Sequence, residues 1–174
     1  MSEIIVLNLK HPLISQIDYQ HQLSEIFFEA STKKDFINQK EKDDFHWKYL
    51  GFYLSHYAEY AWLAVQAGQV LGYVLGMPFT LDPSLYGIQP HLKAFQEHFK
   101  TYPAHLHINC RPNVRGQGVG KVLVKKLLGQ LQEQRVSGLH IMTGPASANK
   151  IFYQKLGFDF EVELNGILLM GIKF

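Results

Sequence analysis

From residue 104 to residue 158 the chain changes period four times. It reads strand, glycine turn, helix, strand, helix, with no repeat or linker between. Ala104 to Cys110 (AHLHINC) alternates as a strand does. Leu106, Ile108 and Cys110 fall on one face; His105, His107 and Asn109 fall on the other. Gly118 to Arg135 carries Val119, Val122, Leu123, Leu127 and Leu131 as an apolar stripe. Lys121, Lys125, Lys126 and Gln132 face water. Leu139 to Thr143 is a short strand. Ser147 to Leu156 is a short helix stopped by Gly157. Strands joined through helices must lay those helices on a sheet, so the succession predicts an α/β layered domain.

The flanks make the sheet mixed. Phe158 to Leu164 and Ile167 to Lys173, joined through Asn165-Gly166, predict a final hairpin. Glu59 to Gln66 and Val70 to Leu75, around Ala67-Gly68-Gln69, predict another. Hairpins at both ends preclude a purely parallel sheet. Glu3 to Lys10 is a first strand. Leu13 to Ala30 has helical spacing, with Pro12 at its start. Thr32 to Lys48 is the most charged stretch and reads as an exposed loop running into a helix through Tyr57. Met77 to Tyr102 holds Pro78, Pro83 and Pro90, and looks helical only from His91 to Lys100. Within it Tyr86, His91, Phe95, His98, Phe99 and Tyr102 form a packing face.

Composition narrows the class of partner. The 174 residues suit one domain, 1–174. Hydrophobic residues at 47% and charged residues at 18% exclude intrinsic disorder. Seventeen basic against fifteen acidic side chains leave +2, too balanced for nucleic acid or an anionic membrane. The longest apolar run, Tyr60 to Val65, is too short for a bilayer, and MSEIIVLNLKHP lacks a signal peptide's basic flank. A lone Cys110 fits a reducing compartment, so a cytoplasmic location is expected.

The sharpest local feature is Arg115-Gly116-Gln117-Gly118-Val119-Gly120 between a strand and a helix. Glycines there let a ligand approach the backbone and aim successive N–H groups outward. The helix start adds partial positive charge, so the turn suits a pyrophosphate. The bland alternative is a glycine turn that merely starts a helix. The spacing is neither a dinucleotide fingerprint nor a Walker loop.

The turn, read as R-x-x-G-x-G after a strand, is followed by Asn149-Lys150-Ile151-Phe152-Tyr153-Gln154-Lys155-Leu156-Gly157-Phe158. Together these resemble the acyl-CoA-binding core of the GNAT superfamily of N-acetyltransferases, closely from Ala104 to Phe158 and elsewhere only in element order. A looser resemblance ties His105-Leu106-His107-Ile108-Asn109 to acetyltransferase-like domains related to the C-terminal part of O-GlcNAc hydrolases. The GNAT resemblance implies a mixed, mostly antiparallel central sheet flanked by helices. It implies acetyl-CoA as cosubstrate, its pyrophosphate on Gly116, Gln117, Gly118, Val119, Gly120 and Lys121, with help from Arg115. It implies that Ile108, Asn109 and Cys110 pair their main chain with the pantetheine arm and polarise the thioester carbonyl. It implies Tyr153 as the general acid for the leaving thiolate, against the bland reading of an aromatic packing residue.

Two positions depart from the family pattern. The asparagine usual seven residues before the tyrosine is Ala146 here. Asn149 either replaces it against the pantetheine or caps its helix. Where many members carry an acidic base on the strand, this chain has Asn109, which cannot take a proton. His107, on the same strand face, is the candidate base. A water relay, or an acceptor of low pKa, is favoured over it. His105, His107 and His140 raise the idea of a metal, but no carboxylate or cysteine at ligand spacing joins them, so none is expected. Cys110 points away from the histidines and reads as a small packing residue.

Three functions compete. The leading one is acetyl transfer from acetyl-CoA to a primary amine of a small molecule or protein, by direct attack in a ternary complex. The second is an acyl-CoA-binding module without turnover. The third is an interaction domain whose glycine loop binds nothing. The expected assembly is a monomer or homodimer.

Overall fold

The computed structural model describes residues 3–174. Seven strands hydrogen-bond in the order β1-β2-β3-β4-β5-β7-β6: β1 (Ile5–Asn8), β2 (Ala61–Gln66), β3 (Gln69–Met77), β4 (Ala104–Cys110), β5 (Gly138–Thr143), β6 (Phe160–Leu164) and β7 (Ile167–Lys173). The β1–β2, β2–β3, β5–β7 and β6–β7 pairings are antiparallel, and β4–β5 is parallel. This is the mixed, mostly antiparallel α/β sheet with helices that the sequence leads one to expect. Both hairpin turns use the left-handed backbone that a two-residue turn requires: Ala67 and Gly68 at φ 49° and 77°, Asn165 and Gly166 at 53° and 73°.

The chain packs as two compact units. One comprises the chain up to Gly76 together with His107–Leu127; the other is Met77–Leu106 with Leu128–Phe174. In the first, helix α1 (Tyr19–Ala30) buries Leu23, Ile26 and Phe27. The helix expected from Leu13 is in fact two pieces. Pro12–Gln16 forms a single 3-10 turn, because Ile17 is extended (φ −119°, ψ 129°) and breaks it before α1. The charged stretch also becomes helical earlier than expected. Asn38 accepts from the Glu41 N–H at 2.9 Å, and the Glu41 carboxylate accepts from the Ile37 N–H at 2.7 Å. This reciprocal cap starts α2 (Gln39–His46). A π-helical turn (Trp47–Gly51) and α3 (Phe52–His56) continue it. The missing side chain at Gly51 makes room for Trp47, whose ring lies 2.8 Å from where a Cβ would stand.

In the second unit the expected 91–100 helix is replaced by two 3-10 turns, Pro90–Phe95 and His98–Lys100, after a short α4 (Pro83–Ile88). Pro90 lacks the N–H that would have joined these turns to α4. Phe95, Phe99 and Tyr102 are buried, as a packing face should be. Helix α6 (Asn149–Gln154) ends at Gly157 (φ 94°), where the Phe158 N–H reaches back to the Tyr153 carbonyl at 3.1 Å. Gly138 is closed on both sides by backbone. A Cβ there would stand 2.7 Å from the Ile172 carbonyl oxygen and 2.8 Å from that of Thr101. Neither oxygen can swing away as a side chain could. Gly138→Ala is therefore expected to destabilise the protein by about 1–3 kcal/mol, read as a lower urea midpoint at unchanged slope.

Candidate active site

The glycine turn opens α5 (Val119–Glu133). The Val122 N–H bonds the Gly118 carbonyl at 3.1 Å and closes the first helical turn. The N–H groups of Val119, Gly120 and Lys121 therefore precede any intrahelical acceptor. Gly116 and Gly118 sit at φ 79° and 85°, the left-handed region that favours glycine. Nothing lies within 4 Å of a Cβ built on either. Arg115, Gly116, Gln117 and Gly118 are exposed, and the Val119 side chain is buried beneath them. The turn thus presents bare backbone and helix-start donors to an open approach, the arrangement a pyrophosphate needs.

Among the described residues β4 pairs with β5 at Ala104↔Leu139 and His105↔His140, whereas β5 and β7 share six pairs. Ile108, Asn109 and Cys110 lie on β4 beyond those pairs. Their strand's polar face meets tyrosines that sequence reasoning did not single out. His107 Nε2 lies 2.9 Å from the Tyr53 hydroxyl, and its ring meets Tyr53 and Tyr49 edge-on at 4.8 and 5.8 Å. Asn109 Nδ2 donates to the Tyr73 hydroxyl at 2.9 Å. Burial holds that phenol far above its ordinary pKa, against the smaller opposing effect of the Asn109 bond, so it stays protonated. The π-helical turn brings Tyr49 and Tyr53 to one side of β4. Such turns, one residue wider than an α-helical one, recur at functional sites.

Against this face lies a cavity of about 330 Å³. Phe27, Ala30, Ser31 and Thr32 at the end of α1 form one wall. Phe45 and Tyr49 form the second, and His107, Ile108 and Asn109 the third.

Cys110 is half-buried. Its Sγ lies 2.7 Å from where a Gly72 Cβ would stand, so Gly72 is the space it occupies. Burial pushes its thiol up to about 11, outweighing the Arg115 charge. The thiolate is the reactive form, so at pH 8 alkylation by iodoacetamide is expected to run roughly 100-fold slower than in the urea-unfolded chain. Equal rates would contradict a packing role.

In the second unit Tyr153 is 7% exposed, its ring edge-on to Phe152 at 5.1 Å and Phe158 at 5.3 Å. Asn149 is exposed at the first helical position of α6. It does not cap the helix with its side chain. Its own N–H donates to Ser147 Oγ at 3.2 Å, so Ser147 supplies the cap bond. His105 and His140 are buried partners across the β4–β5 ladder. The Thr80 hydroxyl donates to the Pro103 carbonyl (2.8 Å), so it must accept from His105 Nδ1 at 2.7 Å. His140 Nδ1 donates to the Tyr102 carbonyl at 2.7 Å. Both rings are fixed by the protein itself, and no metal-binding cluster occurs among the described residues.

The sequence matches the family model described as an acetyltransferase (GNAT) domain over residues 58–159. The chain belongs to the GNAT acetyltransferase family, and acetyl-CoA is its cosubstrate. No curated protein sequence matches it. Among solved structures, SsHAT superposes with a TM-score of 0.78 at 20% identity, over 98% of each chain. PaiA N-acetyltransferase from Thermoplasma acidophilum, solved in complex with coenzyme A, gives 0.67 at 13% identity over 99% of each chain. Ribosomal-protein-alanine N-acetyltransferase from Brucella melitensis gives 0.60 at 16%, over 98% of this chain and 99% of that one. At these identities the likeness is one of fold. No helix among the described residues is long and apolar enough to cross a membrane.

Proposed function

We propose that the whole chain, 1–174, works as one N-acetyltransferase domain. It would transfer the acetyl group of acetyl-CoA to a primary amine by direct attack in a ternary complex. The observation that carries this is the pair of left-handed glycines, Gly116 and Gly118, over open space at the start of α5. On this reading the N–H groups from Gly116 to Lys121 hold the pyrophosphate, with Arg115 and Lys121 adding charge. Ile108 to Cys110 offer main-chain groups to the pantetheine and the thioester carbonyl. The short β4–β5 ladder supports that role, because it leaves these residues beyond its two residue pairs. Tyr153 gives its proton to the departing thiolate, and Asn149 contributes to holding the cofactor arm. The amine nitrogen forms the new C–N bond as the C–S bond breaks. The enzyme supplies positioning and charge stabilisation. We place the protein in the cytoplasm, as a monomer or homodimer.

The test is calorimetry with CoA, then free-thiol release from acetyl-CoA against a panel of amines. CoA binding with no thiol released for any amine would favour a module that binds without turnover.

Proton removal from the acceptor sets a further expectation. An unperturbed lysine-type amine, with a pKa of roughly 10.4, is almost wholly charged at neutral pH. His107 lies against the Tyr53 hydroxyl and Asn109 against that of Tyr73, which supports reading both as wall residues beside a water relay. The acidic limb of the kcat/KM profile is therefore expected to follow the acceptor's own pKa, in wild type and in His107→Gln alike. If the limb lies near the histidine pKa and vanishes with the substitution, His107 is the base.

A further inference from the structure

The cavity beside His107 also carries information about what enters it. Phe27 and Phe45 meet at a tilt of 41° with centroids 5.3 Å apart, Phe45 and Tyr49 meet edge-on at 5.1 Å, and Tyr49 meets His107 at 5.8 Å. The cavity is thus walled by a continuous aromatic arc, and none of the residues lining it bears a carboxylate. Ammonium groups lie over two of those rings. Lys48 Nζ is 4.9 Å from the centre of Tyr49, and Lys33 Nζ is 6.0 Å from that of Phe45. Glu41, the carboxylate nearest Lys33, is already engaged by that ammonium at 2.6 Å and by the Ile37 N–H. A second positive charge in the cavity would find no carboxylate among the residues that line it. A flat apolar body would meet the aromatic side chains of that arc. Ser31 and Thr32, with Asn109, add polar groups at the rim.

We infer that the acceptor is a monoamine built on an aromatic body, and that Phe45 and Tyr49 select it over polyamines and basic peptides. The inference rests on the acetyltransferase reading only for which of its groups reacts; the aromatic preference is a property of the cavity. A cavity of about 330 Å³ suits a one- or two-ring molecule.

The probes are 2-phenylethylamine, n-hexylamine and putrescine, titrated by calorimetry into the full chain with excess CoA. Thiol release from acetyl-CoA is followed separately. The aromatic amine is expected to bind at least about tenfold tighter than putrescine and about threefold tighter than hexylamine. Tyr49→Leu keeps an apolar side chain and removes the ring. It should erase most of the advantage over hexylamine while leaving CoA affinity, and thus the folded state, unchanged. Putrescine binding as well as the aromatic amine, or hexylamine equalling it, overturns the inference. So does an undiminished aromatic advantage in Tyr49→Leu. Tight binding of 2-phenylethylamine without thiol release would uphold the cavity's preference and defeat the transfer reading instead.

Discussion

Tyr153→Phe is expected to lower turnover by about 10²- to 10⁴-fold while CoA affinity stays within a few-fold. The substitution keeps the ring that packs edge-on to Phe152 and Phe158 and deletes one proton donor. The departing thiolate must then take its proton from water. Steady-state kinetics with a good acceptor, alongside calorimetry with CoA, separates the two effects. Turnover within threefold of wild type would reduce Tyr153 to a packing residue. Short α6, stopped by Gly157 and tied to β6 through Lys150 and Glu161 at 2.6 Å, fixes the tyrosine's place in its unit.

Gly118→Val should act on the other half of the chemistry. Its φ of 85° is one that a β-branched residue avoids, at a cost of roughly 1–2 kcal/mol. Holding that backbone would also put methyl groups over the donors that face the pyrophosphate. CoA affinity is expected to fall about tenfold or more, measured by the same calorimetry. Gly129→Ala is the control. It lies inside α5 with nothing within 4 Å of the new Cβ. It should leave CoA binding intact and raise stability by about 1 kcal/mol, through helix propensity alone. Equal CoA affinity in Gly118→Val and wild type would remove the glycine turn from the site.

What the sequence revealed and what it hid follow from the range of the forces involved. β4, α5, β5, α6 and the closing hairpin were legible because each is set by local periods and local punctuation. Gly157 and Asn165-Gly166 stop or turn the chain whatever surrounds them. The break at Ile17 was not legible, because the apolar spacing runs on through it and only the backbone departs. The early start of α2 was written in Asn38 and Glu41, a capping pair masked by the charges around it. At the site, the glycine turn and the β4 face were readable for the same local reason. Tyr49, Tyr53 and Tyr73 were not. They come to His107 and Asn109 from positions 36 to 58 residues away, through a helical turn of unusual width and a neighbouring strand. No spacing rule spans that distance. Asn149 shows the converse error, since its place before an apolar helix suggested a cap that Ser147 supplies.

The wide turn at Trp47–Gly51 also bears on how such a protein could change its diet. Successive residues of an α-helix are rotated by about 100° about the axis. A one-residue deletion within 47–51 that restored the ordinary width would turn everything before it by that angle relative to α3. Phe45 would leave the cavity wall while Tyr53 kept its hold on His107. On the proposed reading of the cavity, its aromatic wall is therefore separable from the β4 face by an indel as well as by substitution.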